Sequence, residues 1–178
     1  MCPIFPVDFE PAHRQHKAMI PVRKLRLYLE TTVWNSYFAD DAPQRRDVTR
    51  ELFDHVKDGR FDAYTSDLVL EEIAAAPEPR RQQLLDLINR VKPTMLKADE
   101  QVSALGEEYV RNGMVPARYR TDAEHIAVAV VNDMDGVVSW NFQHIVRLKT
   151  RRLVSAVSRM VAYREIEIST PEEVIGDV

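Results

Sequence analysis

From residue 24 onward the hydrophobic positions fall into short strand-like runs alternating with helical stripes. LRLYL at 25–29 is a compact, mostly apolar run of the kind that fills a buried strand. A helical stretch is expected over about residues 33–38, and another over about 45–58, where Val48, Leu52, Phe53 and Val56 recur at helical spacing before Gly59 stops the run. FDAYT at 61–65 reads as a second strand, with Ser66 or Asp67 capping a helix to about residue 76. Beyond Pro77 and Pro79 come a helix over about 80–90, a short strand at 94–96 and a helix over about 99–112 closed by Gly113. Thr121 and Glu124 have the spacing of a capping box and predict a helix to about residue 133. A strand at 137–140, helices over about 142–149 and 154–160, a last strand at 165–169 and a turn of helix from Pro171 complete the pattern.

Strands that alternate with helices predict an α/β fold of three layers, with helices on both faces of a mostly parallel central sheet. Residues 1–23 break the pattern. Pro3, Pro6, Pro11 and Pro21 punctuate them without helical or strand period, so an irregular or flexible N-terminal arm is expected ahead of one domain over 24–178. His13, His16 and Cys2 lie in that arm, and its composition argues against reading them as a metal site.

Composition narrows the possibilities. The chain has 178 residues, 45% of them hydrophobic and 29% charged, which suits one soluble globular domain. The longest apolar run, Ile126 to Val131, falls far short of the ~20 residues of a membrane helix, and the N-terminus lacks a secretory core, so neither membrane nor export is expected. Cys2 is the single cysteine, which excludes an internal disulfide framework and fits a reducing cytoplasm. A net charge of −4 argues against coating nucleic acid by bulk electrostatics, although an acidic metal site beside a local basic track remains compatible.

In open α/β sheets the chemistry sits just beyond the carboxyl ends of the strands. Glu30, Thr31 and Thr32 follow the first strand, Glu71 and Glu72 lie on the helix after the second, Asp122 opens the capped helix, and Asn141 follows the fourth strand. Helical spacing selects Glu72 over Glu71, because Glu72 stands three residues after Val69 on the stripe with Ile73. Asp133 and Asp135 precede a strand and belong to a turn at the opposite end of the sheet. No glycine-rich phosphate loop is present, which speaks against a dinucleotide or P-loop site. Gathered carboxylates suit Mg²⁺ or Mn²⁺, hard cations that prefer oxygen donors, and phosphodiester hydrolysis is the reaction that fits. Thr32 is placed to support a ligand.

On these residues the chain resembles the PIN-domain family, including the VapC-type toxin ribonucleases of bacterial toxin–antitoxin pairs. LRLYLETTVW (25–34) resembles the family's opening strand, and TSDLVLEEI (65–73) its second motif, in which Ser66 precedes the acid by six positions and again selects Glu72. TDAEHIAVAVVNDMDGVVSWNFQHI (121–145) resembles the third and fourth motifs together, and STPEEV (169–174) the usual ending. The resemblance implies a metal-dependent endoribonuclease acting on single-stranded RNA, with Mg²⁺ or Mn²⁺ held by Glu30, Glu72 and Asp122, and Asn141 at the fourth polar position. It also implies an antitoxin partner and a homodimer. Two departures matter: the first acid is usually Asp and here is the longer Glu30, and the fourth position carries the amide Asn141 where many members have Asp. Either departure keeps open a PIN-like scaffold that binds RNA or protein without cutting.

His125 and His144 lie beside these positions as supporting residues, and Arg118, Arg120, Arg147 and Arg151 as possible RNA contacts. For each histidine a hydrogen-bonded structural role competes with contact to phosphate, and for the arginines a solvated face competes with an RNA track. Trp34 and Trp140 flank the site as core residues rather than stacking platforms. A phosphohydrolase of another α/β family is disfavoured by the lack of a D-x-D motif after the first strand.

Overall fold

A computed structural model describes residues 23–176, and the expected N-terminal arm lies outside the described residues apart from Arg23. The elements are β1 (Leu25–Leu29), α1 (Thr31–Ser36), α2 (Pro43–Lys57), β2 (Phe61–Ser66), α3 (Asp67–Ala74), α4 (Arg80–Val91), β3 (Thr94–Leu96), α5 (Glu100–Arg111), α6 (Arg120–Val131), β4 (Gly136–Val138), α7 (Leu148–Met160), β5 (Glu167–Ser169) and α8 (Pro171–Gly176). The five strands form one sheet in the order β3-β2-β1-β4-β5, and every pairing is parallel.

Parallel neighbours need crossovers, and the helices supply them on both faces. That burial explains why β1 ends in three fully buried residues, Leu27, Tyr28 and Leu29, and why β4 is buried throughout. Chain order reverses at β1, with β2 on one side and β4 on the other. A crevice therefore opens beyond the carboxyl ends of β1 and β4, the place where such sheets bind ligands.

Four local expectations change. The capping box does not form: a 3-10 turn at Ala117–Tyr119 runs straight into α6, Thr121 falls inside the helix, and Glu124 turns to the Arg120 guanidinium at 2.9 Å. Helix α1 starts at Thr31, earlier than its apolar residues suggest, because the Glu30 side chain caps it by accepting from Thr32 N. Ser66 stands at the N-cap position of α3 without capping it; its hydroxyl is drawn to Tyr28, while the Asp67 carboxylate accepts from Leu68 N and Ala98 N. Finally, the two helices expected over 142–160 are one, α7, preceded by turns in which Asn141 O accepts from Ile145 N and Val146 N.

Asp135 lies at the amino end of the sheet, as its position before a strand requires. Its carboxylate accepts from Arg26 N at 2.8 Å and meets the guanidinium groups of Arg23 and Arg164. Burial opposes its ionisation, but these donors outweigh it and hold the carboxyl below the usual aspartate range.

Candidate active site

Glu30 directly follows β1 and caps α1, so the strand-to-helix turn fixes its side chain beside the crevice. It is 2% exposed, and its carboxylate accepts from Thr32 N at 2.9 Å and from the Thr32 hydroxyl. The same hydroxyl accepts from Trp140 N at 2.9 Å, which ties the end of β1 to the chain leaving β4. Burial raises the Glu30 pKa, and the offsetting help from His125, Thr32 and Ser139 does not restore it.

Glu72 sits near the end of α3. Its side chain is 40% exposed rather than on a buried flank, yet its Oε2 accepts from the Thr31 hydroxyl and meets His125 Nε2 at 3.1 Å. Burial works against ionisation here too, but the hydrogen bond and charge of His125, with Thr31, prevail and lower the pKa. Asp122, in the first turn of α6, accepts from Asn141 Nδ2 at 3.0 Å and from His144 Nδ1 at 2.7 Å. Its pKa is raised, chiefly by burial and further by the charge of Glu72, against the pull of His144 and His125. Asn141 is oriented by His144 N, which donates to its Oδ1 at 2.9 Å, so its amide is committed to holding Asp122.

His125 bonds Glu72 and Tyr28. It is 1% exposed, one turn along α6 from Asp122, with Nε2 on Glu72 and Nδ1 2.8 Å from the Tyr28 hydroxyl. Burial alone would push its pKa down, but the Glu72 hydrogen bond and the charges of Glu30, Glu72 and Asp122 raise it. One carboxylate, Glu72, thus bonds the buried imidazole, and the charges of Glu30 and Asp122 favour its protonated form. Among the described residues, however, no three His, Cys, Asp or Glu side chains are posed together as ligands of one ion. Their oxygens face Thr31, Thr32, His125, Asn141 and His144 instead.

Tyr28 and Ser66 complete the network, with the hydroxyls 2.7 Å apart in full burial. Sequence reasoning missed Tyr28 as a site residue. The available signal was a phenol in the middle of a buried strand, which needs a partner for its hydroxyl. Trp34 and Trp140 are buried, their indole N–H groups donating to Leu29 O and Thr49 Oγ1. Of the four candidate RNA contacts, Arg120 pairs with Glu107 and Glu124, and Arg151 with Glu173. Arg118 lies over the Tyr119 ring, which packs on His144 at a centroid distance of 4.1 Å, and Arg147 donates to Gln143 O. Neither has a carboxylate partner among the described residues.

No sequence-family model matches the chain, and no curated protein sequence does. Solved structures do match. VapBC2 from Rickettsia felis, bound to a DNA fragment from its promoter, aligns at 12% identity with a TM-score of 0.52, over 82% of this chain and 98% of that one. DNA-bound VapBC from Salmonella typhimurium aligns at 18% identity with a TM-score of 0.51, over 83% of this chain and 98% of that one. The fold is that of the VapC-like PIN domains. At such identities the likeness carries the architecture, and the chemistry has to be argued from the side chains. In this VapC-like fold Glu30 follows β1, Glu72 lies on α3 after β2, and Asn141 follows β4 and holds Asp122 of α6, the helix that precedes β4.

Proposed function

We propose that the chain is a divalent-metal-dependent endoribonuclease that cuts single-stranded RNA, and that it is the toxin of a toxin–antitoxin pair. The observation that carries this reading is the hydrogen-bonded linkage of acids at the strand ends of a VapC-like sheet: Glu72 bonds Thr31 and His125, Asp122 bonds Asn141 and His144, and Glu30 is buried where β1 ends. The donor set fits a hard cation. It is made of carboxylate oxygens, and burial raises the pKa of Glu30 and Asp122, a cost that a bound cation would offset. Bound Mg²⁺ or Mn²⁺ would activate a water and offset charge on the phosphoryl group.

The protein's own residues set the stage for that chemistry. Glu30, Glu72 and Asp122 would hold the cation. Thr32 keeps Glu30 in place, and Asn141 and His144 together fix both oxygens of Asp122. His125 restrains Glu72 and, sealed from solvent, is positioned to orient rather than to exchange protons with water. Arg118 and Arg147, free of carboxylate partners among the described residues, would contact the RNA backbone. The antitoxin and a homodimeric state are part of the same proposal, and a monomer by light scattering would count against the dimer. Among the described residues no helix is long and apolar enough to cross a membrane.

The test combines two readouts. Mg²⁺ or Mn²⁺ is expected to raise the melting temperature and to support RNA cleavage, with Asp122→Asn losing both. Undiminished cleavage by that variant refutes the assignment. A second reading, a PIN-like scaffold that binds without cutting, draws on the 2% exposure of Glu30 and the commitment of the Asn141 amide to Asp122. It predicts RNA binding in EDTA and no stabilisation by metal.

A further inference from the structure

The chain leaving β4 carries a feature that metal binding does not use. Between it and the start of α2 is an open cavity of about 380 Å³ lined by Pro43, Gln44, Arg45, Trp140, Phe142 and Glu172, among others. Two hydrogen bonds tie its wall to the acids. Trp140 N donates to Thr32 Oγ1, which in turn donates to Glu30. Asn141, the residue between Trp140 and Phe142, donates from Nδ2 to Asp122 at 3.0 Å. Phe142 is 52% exposed, the one aromatic among the large hydrophobic side chains that the described residues leave in solvent. Its ring is tilted by 51° to that of Trp140, with centroids 6.0 Å apart, so the two are not stacked face to face. Trp140 is itself buried, and the exposed Arg45 guanidinium lies 5.5 Å over its ring.

We propose that this cavity takes the unpaired base of a single-stranded RNA nucleotide flanking the bond to be cut, with Phe142 stacking on the base. The proposal rests on the nuclease reading of the carboxylate site. The lining decides which part of the RNA enters. Arg45 brings one positive charge and Glu172, in the first turn of α8, one negative charge, so the cavity has no excess of cations to select a phosphate. A flat, uncharged ring with polar edges suits it better, because every base offers a π-face to an aromatic side chain and hydrogen-bonding groups at its rim. Glu172 is an acceptor only, and it matches a base that carries an exocyclic amine. Adenine and cytosine carry one on the pairing edge and uracil carries none, so the site should prefer the first two. The short path from Phe142 through Asn141 to Asp122 places the base beside the acids, on the nucleotide whose neighbouring phosphate they would hold.

The test is binding of fluorescein-labelled oligo(A), oligo(C) and oligo(U) in EDTA across a salt series, for the wild type, Phe142→Ala, Phe142→Tyr and Glu172→Gln. Phe142→Ala is expected to bind oligo(A) and oligo(C) about tenfold more weakly with an unchanged slope of log K against log salt, because losing a stacked base releases no counterions. Phe142→Tyr keeps the ring and should keep the affinity. Glu172→Gln should narrow the preference for oligo(A) and oligo(C) over oligo(U), a readout that a merely structural role would not move. A single abasic site in the oligonucleotide should, at one position, weaken the wild type and leave Phe142→Ala unaffected. Phe142→Ala that binds RNA as tightly as the wild type overturns the proposal. If in that case the wild type self-associates in sedimentation and Phe142→Ala does not, the face takes a second copy of the chain. A changed salt slope in Phe142→Ala also overturns it, since the lost contact is then to phosphate. Wild type that shows the ring-dependent binding but cuts no RNA with Mg²⁺ refutes the nuclease reading and leaves the base site standing.

Discussion

Replacing Tyr28 with Phe removes one oxygen from the centre of the molecule and leaves the ring to fill its place. Tyr28 is fully buried, and its hydroxyl lies 2.7 Å from Ser66 Oγ and 2.8 Å from His125 Nδ1. Neither neighbour can turn to water, since Ser66 is 0% and His125 1% exposed. The substitution therefore strands two buried polar groups, at about 1–3 kcal/mol each, for an expected loss of roughly 2–6 kcal/mol. Tyr109 supplies the comparison. It is also fully buried, but its hydroxyl bonds only Ser158 Oγ, at 2.7 Å, and burial pushes its pKa up to about 12. Tyr109→Phe strands one group and is expected to lose half as much, roughly 1–3 kcal/mol. Urea unfolding in EDTA, followed by circular dichroism at constant m-value, measures both. Only Tyr28→Phe should also weaken stabilisation by Mg²⁺, because only Tyr28 restrains the imidazole that holds Glu72. Equal losses for the two variants, within about 0.5 kcal/mol, would refute the view that the site histidine depends on this hydroxyl.

Stability in EDTA should peak on the acid side of neutrality and decline toward alkaline pH. The folded chain holds protons on Glu30 and His125 that the unfolded chain releases, so their contribution is present below the ordinary values of 4.5 and 6.5 and is lost as pH rises through the raised ones. Glu72, Asp135 and Glu173 have lowered values, and their contribution disappears as pH falls through those. Melting temperatures across pH in EDTA and in saturating Mg²⁺ check this; a metal-free protein that keeps gaining stability above neutrality contradicts it. Gly106→Ala places a methyl 2.9 Å from Glu124 Cγ and 3.5 Å from Glu124 Cα, where α5 meets α6, and is expected to destabilise by about 1–3 kcal/mol. In a Glu124→Ala background the clash is relieved, and the same change should become stabilising by roughly 0.5–1 kcal/mol through helix propensity, as chemical unfolding of the four proteins would show.

Local periodicity made much of this molecule legible. The run LRLYL specified β1, the apolar spacing from Val48 to Val56 specified most of α2, and alternation of the two kinds of segment required a parallel sheet. Glu30, Asp122 and Asn141 were singled out as candidates because strand ends in such sheets converge, a property of topology that needs no coordinates. What the chain order could not express was which groups satisfy one another. Glu124 has capping-box spacing from Thr121 but pairs with Arg120, and Ser66 has N-cap placement but bonds Tyr28, because tertiary neighbours compete with local partners. The contact of Tyr28 with His125 joins residues 97 apart and that of Glu72 with His125 residues 53 apart. Arg151 and Arg80 look alike in sequence, yet one pairs with Glu173 and the other donates to Phe38 O. Short-range pattern fixes secondary structure because it depends on the burial of each segment's own faces. Charge pairing and the partners of buried polar atoms are decided only when the sheet closes and brings distant side chains together.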